Sequence, residues 1–492
     1  MAELIEALRD PSCYAHPVHE VDVRETHISW VLLTGEYAYK IKKPVQLAFV
    51  DFSTLERRRH FCEEEVRLNR RFAPQLYLDV VPITGTLDTP RVGGDGPVIE
   101  FAVRLKQFDP AMELAALVTR NDVRADALEN FGAQLARIQA DSCACIGDTK
   151  VWQTVQRNLQ ELKEVPQEVV AWLHTEYARL QPVLQGRGQA GRIRECHGDL
   201  HAGNVVSWHG ELTAFDCIEF NPELRQIDVA DDVAFLMMDL IARGRRDLAY
   251  AFAAGWLQVT GDYEATLMWR WFRVHRALVR TKVERLGDDQ AAAKKYLCTA
   301  LGAIEPRCPR LVLMCGMSGS GKTWLSTQLL QAAGAVRVRS DVERKRLAGL
   351  DALESSRSLP GQGIYTREFN ERVYAHLLSV ARSVLQAGEH VIIDAAFLRR
   401  DERASFIALA RELSVEVTVV HCHAPVAELR ARLLARRGDA SEATVEVLER
   451  QAGYWEAFDD SERATVTELD TKDAKAVRRL LASAAHWDNS NI

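Results

Sequence analysis

The chain has 492 residues, 47% hydrophobic and 27% charged, with 62 Lys and Arg against 69 Asp and Glu, for a formal net charge of −7 at pH 7. This length predicts two or three domains, each able to bury its own core, and the composition excludes a disordered or collagen-like chain. The net negative charge argues against a dedicated nucleic-acid binder, although a local basic groove stays open, and no apolar run approaches the roughly 18 residues of a membrane span.

The opening stretch MAELIEALRDPS reads as a short acidic helix without the basic and apolar regions of a signal peptide, so a cytosolic protein is expected. The ten cysteines are scattered without a paired framework, as buried thiols are in a reducing compartment. Up to about residue 110, short strand-like runs alternate with one strong helix, STLERRRHFCEEEVRLNRRF. On the strand WVLLTGEYAYKIKKPV, Lys40 and Lys42 share one face by period two. On the helix, Glu65 lies on the face of Phe61, Leu68 and Phe72, whereas Glu63 and Glu64 point elsewhere. VIEFAVRLKQFDP reads as a further strand, and from about Met112 to Arg192 the apolar spacing is mainly helical. SCACIG, with Cys143 and Cys145, has the letters of a metal site but not its spacing.

The centre of the first half is ECHGDLHAGNVVSWHGELTAFDCIEF. It contains His197, Gly198 and Asp199, then Asn204, and Asp216 at the end of the next strand-like run. H-G-D-x-x-x-x-N followed by a strand-terminal aspartate has the spacing of a kinase catalytic loop. One carboxylate serves the acceptor hydroxyl and an Asn/Asp pair serves a metal. Phosphoryl transfer needs an oriented nucleophile and neutralised phosphate oxygens, which three oxygen-bearing side chains supply.

These residues resemble the aminoglycoside-phosphotransferase family, itself akin to protein kinases, over about residues 20–290. The resemblance implies that Asp199 is the catalytic aspartate, Asn204 and Asp216 the metal ligands, and Lys40 the ATP lysine, with Lys42 the competing choice. Glu65 would be the ion-pair partner and VIEFAVRLKQFDP the hinge strand. The small lobe lacks G-x-G-x-x-G, so ETHISWV is expected to form the nucleotide loop through its backbone and Ser29. In EFNPELRQIDVADDVAFLMMDL, Asp228, Asp231 and Asp232 could lie near the acceptor, but Asp231 and Asp232 open an apolar helix and are expected to cap it. WRWFRVHRALVRTKVERL is expected to be an amphipathic helix with tryptophans and valines inside and arginines outside.

GDDQAAAKKYLCTALGAIEPRCPR ends in Pro306 and Pro309, and the domain boundary is expected near residue 305. Next, LVLMCGMSGSGKTWLSTQLLQ holds G-x-x-x-x-G-K-S/T between a strand-like and a helix-like run. Gly316, Ser318, Gly319, Ser320 and Gly321 form a loop whose N–H groups can cradle phosphates. Lys322 can reach the β- and γ-phosphates, and the Thr323 hydroxyl can hold Mg²⁺. Strands and helices then alternate, which implies a parallel sheet. VRSDVERKR places Asp341 and Arg344 as D-x-x-R after the second strand, a candidate proton acceptor and a candidate holder of an anionic substrate group. HVIID ends in Asp394, a second carboxylate for Mg²⁺. APVAELRARLLARRGD carries Arg430, Arg432, Arg436 and Arg437 on a short helix, with Arg432 and Arg436 on one face as a lid. His421, Cys422 and His423 close a β-branched run in which alternate residues face opposite sides, poor geometry for one metal.

From about Arg310 to Ala457 this half resembles the polynucleotide-kinase and zeta-toxin branch of small P-loop kinases. That implies roles for Asp341 as base, Arg344 as substrate-holding arginine, Asp394 as metal carboxylate and Arg432 with Arg436 as the lid pair. The whole order resembles bacterial bifunctional aminoglycoside phosphotransferase/ATP-binding proteins. The expectation is therefore two domains. Residues 1–305 form an N-terminal α+β bilobal protein-kinase-like fold with a C-terminal helical linker, and residues 306–492 a C-terminal α/β P-loop kinase with a parallel sheet. Each would use ATP and Mg²⁺ to phosphorylate a hydroxyl of a small molecule. The alternatives are an N-terminal pseudokinase beside an active P-loop kinase acting on a small molecule or a nucleic-acid end, and a C-terminal ATP-dependent switch without an acceptor.

Overall fold

The computed structural model describes residues 1–47, 50–145, 150–358, 361–435 and 440–487. The chain divides into two compact units, one of residues 1–123, 138–156 and 182–236, the other of residues 124–137, 157–181 and 237–492. This division differs from the expected break near residue 305, because the helices after Met237 cluster with the phosphate-loop half. No helix among the described residues is long and apolar enough to cross a membrane.

The first unit is built on β1 (Asp22–Glu25), β2 (Ser29–Leu33), β3 (Tyr37–Lys42), the small pair β4 (Gln46–Leu47) and β5 (Val50–Asp51), β6 (Tyr77–Gly85), β7 (Pro90–Val92) and β8 (Val98–Lys106). Six of these form one sheet in the order β1-β2-β3-β8-β6-β7, antiparallel throughout. Period-two alternation gives the sheet two different faces. Leu32, Tyr39, Ile41 and Ile83 pack with Leu4, Ile5 and Leu8 from the N-terminal helix Ala2–Ala7 and its end. Ala38, Val103 and Leu105 pack with Cys62 and Val66 of helix Leu55–Asn69. That helix starts at Thr54, whose hydroxyl accepts the Arg57 N–H as an N-cap. Lys40 and Lys42 share the period-two face of Ala38, so the sheet points them toward this helix.

Downstream, β9 (Ile193–Glu195) and β12 (Gln226–Asp228) pair antiparallel, as do β10 (Val205–Trp208) and β11 (Glu211–Ala214). The β10–β11 hairpin turns on His209 and Gly210, both at positive φ. The segment 197–204 thus hangs between two strands, and Asp216 lies two residues past the end of β11.

The second unit contains β13 (Arg310–Cys315), β14 (Val336–Arg339), β15 (Val391–Asp394), β16 (Glu416–His423) and β17 (Val466–Asp470). They make the expected parallel sheet, in the order β14-β15-β13-β16-β17. β13 is central, and Leu311 through Cys315 are at most 1% exposed, which is why this strand reads as an unbroken apolar run.

Helices Arg246–Thr260, Thr266–Leu286 and Gln290–Ile304 belong to the same unit. In Thr266–Leu286 the buried tryptophans 269 and 271 follow the sequence expectation, but Arg273 and Arg276 are buried too, contrary to it. The reason for Arg273 is Glu389, which is fully buried and accepts from Arg273 at 2.8 Å, from Arg307 at 2.9 Å and from the Tyr250 hydroxyl. Burial alone would raise the Glu389 carboxyl, but Arg307 and Arg273 overcome it and hold the group at about 2. Charges can enter this interior only as a hydrogen-bonded cluster.

Candidate functional site

In the first unit the segment His197–Asn204 is anchored from below. Asp232 accepts the His197 N–H at 2.7 Å and the Gly198 N–H at 2.9 Å. This corrects the expectation that Asp232 caps its own helix: its carboxylate is fully buried and ties down the loop. Asp228 instead accepts both a bidentate contact from Arg187 at 2.8 Å and the Ala230 N–H at 2.9 Å. Gly198 has φ +86°, and a Cβ there would stand 2.6 Å from the Leu224 carbonyl. The Asp199 N–H donates to His197 Nδ1, so Nε2 carries the proton that reaches the Phe215 carbonyl at 2.9 Å. Burial pushes the His197 ring below its ordinary value and keeps it neutral. Asn204 Nδ2 donates to Asp199 at its carbonyl and at Oδ2, 3.0 and 3.1 Å away.

Asp216 sits at φ +62° and its side chain is 44% exposed. Lys40 Nζ lies 2.5 Å from Asp216 Oδ1 and 2.9 Å from Glu65 Oε1. Lys42 Nζ lies 2.7 Å from Glu65 Oε2 and also contacts Glu219. The two lysines are therefore not equivalent. Lys42 is fully buried, whereas Lys40 keeps some exposure beside Asp216. Glu63 and Glu64 pair with Arg59 and Arg67 on the outside of the helix. Ser29 is fully buried at the start of β2, its hydroxyl without a partner among the described residues. Glu219 and the Tyr77 hydroxyl, which accepts the Asp216 N–H at 3.0 Å, were not singled out in the sequence. The only hint was a glutamate in the apolar run FDCIEF.

In the second unit β13 runs into the phosphate loop, where Gly316, Gly319 and Gly321 all have positive φ. A Cβ on Gly316 would stand 2.2 Å from the Cys422 carbonyl, so only glycine permits this path. The Ser318 N–H donates to Gln451 at 2.8 Å, and the buried Ser320 hydroxyl has no partner among the described residues. Lys322 Nζ folds onto the carbonyls of Gly316 and Met317 at 2.8 and 2.9 Å. Burial lowers the Lys322 ammonium from its ordinary value, against the pull of Asp394. Asp394 ends β15 and accepts the Ser326 hydroxyl at 3.1 Å.

Asp341 lies in the first turn of helix Ser340–Leu347, inside it rather than at the cap, which is Arg339. Arg344 on the same helix is 7% exposed, donates to the Ile364 carbonyl and to Asn370, and leaves Nε without a partner among the described residues. Arg432 donates to Glu428, the Gly319 carbonyl and Thr471, the last at 3.0 Å. Arg436 and Arg437 lie outside the described residues. Lys322, Thr323, Asp341, Arg344, Asp394 and Arg432 line one cavity of about 1160 Å³. His421 and His423 face the same side of β16, with Glu468 2.6 Å from His421, while Cys422 is buried on the other.

A family model described as "Phosphotransferase enzyme family" matches residues 38–269, and one described as "AAA domain" matches residues 311–458. Uncharacterized proteins of Mycobacterium tuberculosis (Rv2004c) and Mycobacterium bovis (Mb2027c) are each 33% identical over 479 residues, covering 92% of this chain and 94% of theirs. Among solved structures, a gluconokinase from Sinorhizobium meliloti is 21% identical over 37% of this chain and 95% of its own, with a TM-score of 0.27. The GDP complex of an aminoglycoside 2′-phosphotransferase is 12% identical over 59% of this chain and 94% of its own, with a TM-score of 0.37. With a phosphotransferase region and a P-loop region in one polypeptide, the chain is an ATP-dependent kinase. It belongs to the same family as the two mycobacterial proteins.

Proposed function

We propose that the chain is a bifunctional phosphotransferase, each unit moving the γ-phosphate of ATP to a hydroxyl of a small molecule. The observation that carries the reading is the recurrence of one set of groups in both units. Each offers a lysine, a candidate base and an aspartate at or just past a strand end: in one, Lys40 meets Asp216 and Asp199 stands on the loop whose Asn204 carbonyl accepts the Phe215 N–H, and in the other, Lys322, Asp341 and Asp394 line one cavity.

In this reading the glycine loop 316–321 and Lys322 hold the triphosphate, and the unpartnered Ser320 hydroxyl and the close glycine approaches suit a ligand bound through backbone N–H groups. Lys40, braced by Glu65, does the corresponding work in the first unit. Asp199 and Asp341 orient the acceptor hydroxyl and take its proton. Arg344 holds an anionic part of the acceptor, and Arg432 with Arg436 neutralises charge on the phosphoryl oxygens. The hard oxygen donors Asn204 with Asp216, and Thr323 with Asp394, suit Mg²⁺. When bound, the ion neutralises phosphate charge at each site. A cytosolic location agrees with ten cysteines that are all free.

The test is transfer of label from γ-labelled ATP to a metabolite extract by the full chain and by Asp199→Asn and Asp341→Asn. Each variant is expected to lose one set of products, by about 10²- to 10⁴-fold. If Asp341→Asn alone removes every product, the first unit is a binding or regulatory partner. If no metabolite is labelled by any form, the second unit is a switch.

A further inference from the structure

A kinase-type site uses one lysine paired with one glutamate beside the metal-binding aspartate. The first unit contains a second lysine and a second glutamate, Lys42 and Glu219. Neither can touch a substrate, since Lys42 is fully buried and Glu219 is 4% exposed. We infer that Lys42 and Glu219 are positioning residues: their buried contact fastens the segment Asp216–Glu219 to β3 so that Asp216 and Lys40 meet a metal-bound triphosphate. The inference rests on the reading of the first unit as a nucleotide site.

Three observations converge on it. The first is reach along the chain. Glu219 lies three residues after Asp216, and Lys42 two residues after Lys40 on the same strand face. The Lys42–Glu219 contact therefore couples the same two segments that bring Lys40 to Asp216. The second is anchoring. The segment's own N–H groups anchor it, Cys217 to the Asn69 side-chain oxygen at 2.8 Å and Ile218 to the His197 carbonyl at 3.2 Å, and Lys42 grips it from β3 through the Glu219 side chain. The third is how Glu65 is shared. Its Oε2 lies 2.7 Å from Lys42 Nζ and its Oε1 2.9 Å from Lys40 Nζ, so one buried carboxylate bridges the two lysines. Lys42 thus fixes one end of the Glu65 carboxylate, and Lys40, set against its other end, also donates to the exposed Asp216. Without Lys42, two buried carboxylates, Glu65 and Glu219, would draw on Lys40 and compete with phosphate for its charge. Without Glu219, Lys42 would keep Glu65 but release the Asp216 segment.

The experiment uses the full chain carrying Lys322→Ala, which removes nucleotide binding by the second unit. Calorimetry measures the Kd for ATP in excess Mg²⁺ and in EDTA. The variants are Lys42→Met, Glu219→Gln and the double change, which leaves no unpaired buried charge and keeps a folded comparison available. The preference for ATP with Mg²⁺ over ATP in EDTA is expected to fall by about 10-fold or more in every variant, the EDTA value moving much less. Unaltered metal preference in the folded double variant, whatever its melting temperature, overturns the inference alone. Absence of any Mg²⁺-dependent ATP binding by the Lys322→Ala parent overturns the nucleotide reading of the first unit, and the inference with it.

Discussion

His390 is 2% exposed and accepts the Arg310 N–H at Nδ1, 3.0 Å away. Burial, with Arg246 and Arg307 nearby, lowers its ring from 6.5 to about 3. His275, buried on helix Thr266–Leu286, is lowered well below 6.5 by burial as well. Both rings stay neutral in the folded chain, so above pH 6.5 their titration has no effect on stability. Below it the unfolded chain takes up protons that the folded chain refuses, and stability falls as pH drops toward the folded values. For His390 the window runs from 6.5 to about 3. The loss should approach about 1.4 kcal/mol per pH unit per ring. Melting temperature should therefore fall between pH 7.5 and 5.5, and His390→Asn, which keeps an acceptor for Arg310, should flatten that slope. At this scale spacing marks out Asp199, Asn204, Asp216 and the run 316–323, and the structure sets Asn204 against Asp199, Asp216 against Lys40, and the glycines of that run at positive φ. The sequence was not readable where a charge is cancelled by a partner far along the chain. Arg273 and Glu389 are 116 residues apart, and Asp232 looked like a cap because its true partners, the N–H groups of His197 and Gly198, lie some 34 residues back.

Helices Ala125–Asp141 and Arg246–Thr260 touch backbone to backbone. A Cβ on Gly132 would stand 2.0 Å from the Phe252 carbonyl, and one on Gly255 would stand 1.8 Å from that of Glu129. Neither glycine has positive φ, so the demand is for space alone. Gly132→Ala or Gly255→Ala should cost about 3 kcal/mol, seen as a lower denaturant midpoint with an unchanged slope. Gly316→Ala belongs to the same scale with a different outcome. The added methyl would displace the loop path itself, so ATP binding by the second unit should be lost while most of the fold survives, a result calorimetry and melting read together. Strand and helix existence followed from periodicity, and the parallel sheet from the alternation of the two. Which helices approach closely did not, because a glycine in a helical pattern reads as mere tolerance until its neighbour is known.

The compact unit around the phosphate loop reaches back through the helices before residue 305, and its contacts say why. Glu343, on the helix that carries Asp341 and Arg344, is fully buried and meets the Tyr263 hydroxyl at 2.9 Å and His376 at 3.0 Å. Arg346 on that helix donates to the carbonyls of Gln258 and Val259, at the free end of helix Arg246–Thr260. A fragment beginning at residue 306 would leave Glu343 and Glu389 short of partners and strip the apolar cover from the sheet. It should aggregate or unfold without cooperativity, whereas the full chain should unfold cooperatively in the same buffer. Chain order alone suggested a cut at the proline pair, because linkers are recognised by composition and buried contacts are not.

The Tyr263–Glu343 bond also bears on inheritance. Tyr263 lies in the stretch matched by the phosphotransferase model, and Glu343 in the stretch matched by the AAA model. Recombination between relatives at the proline-marked junction would separate two groups that must be exchanged together. Hybrids that remain functional should cross over upstream of Met237, or carry matched changes at both positions.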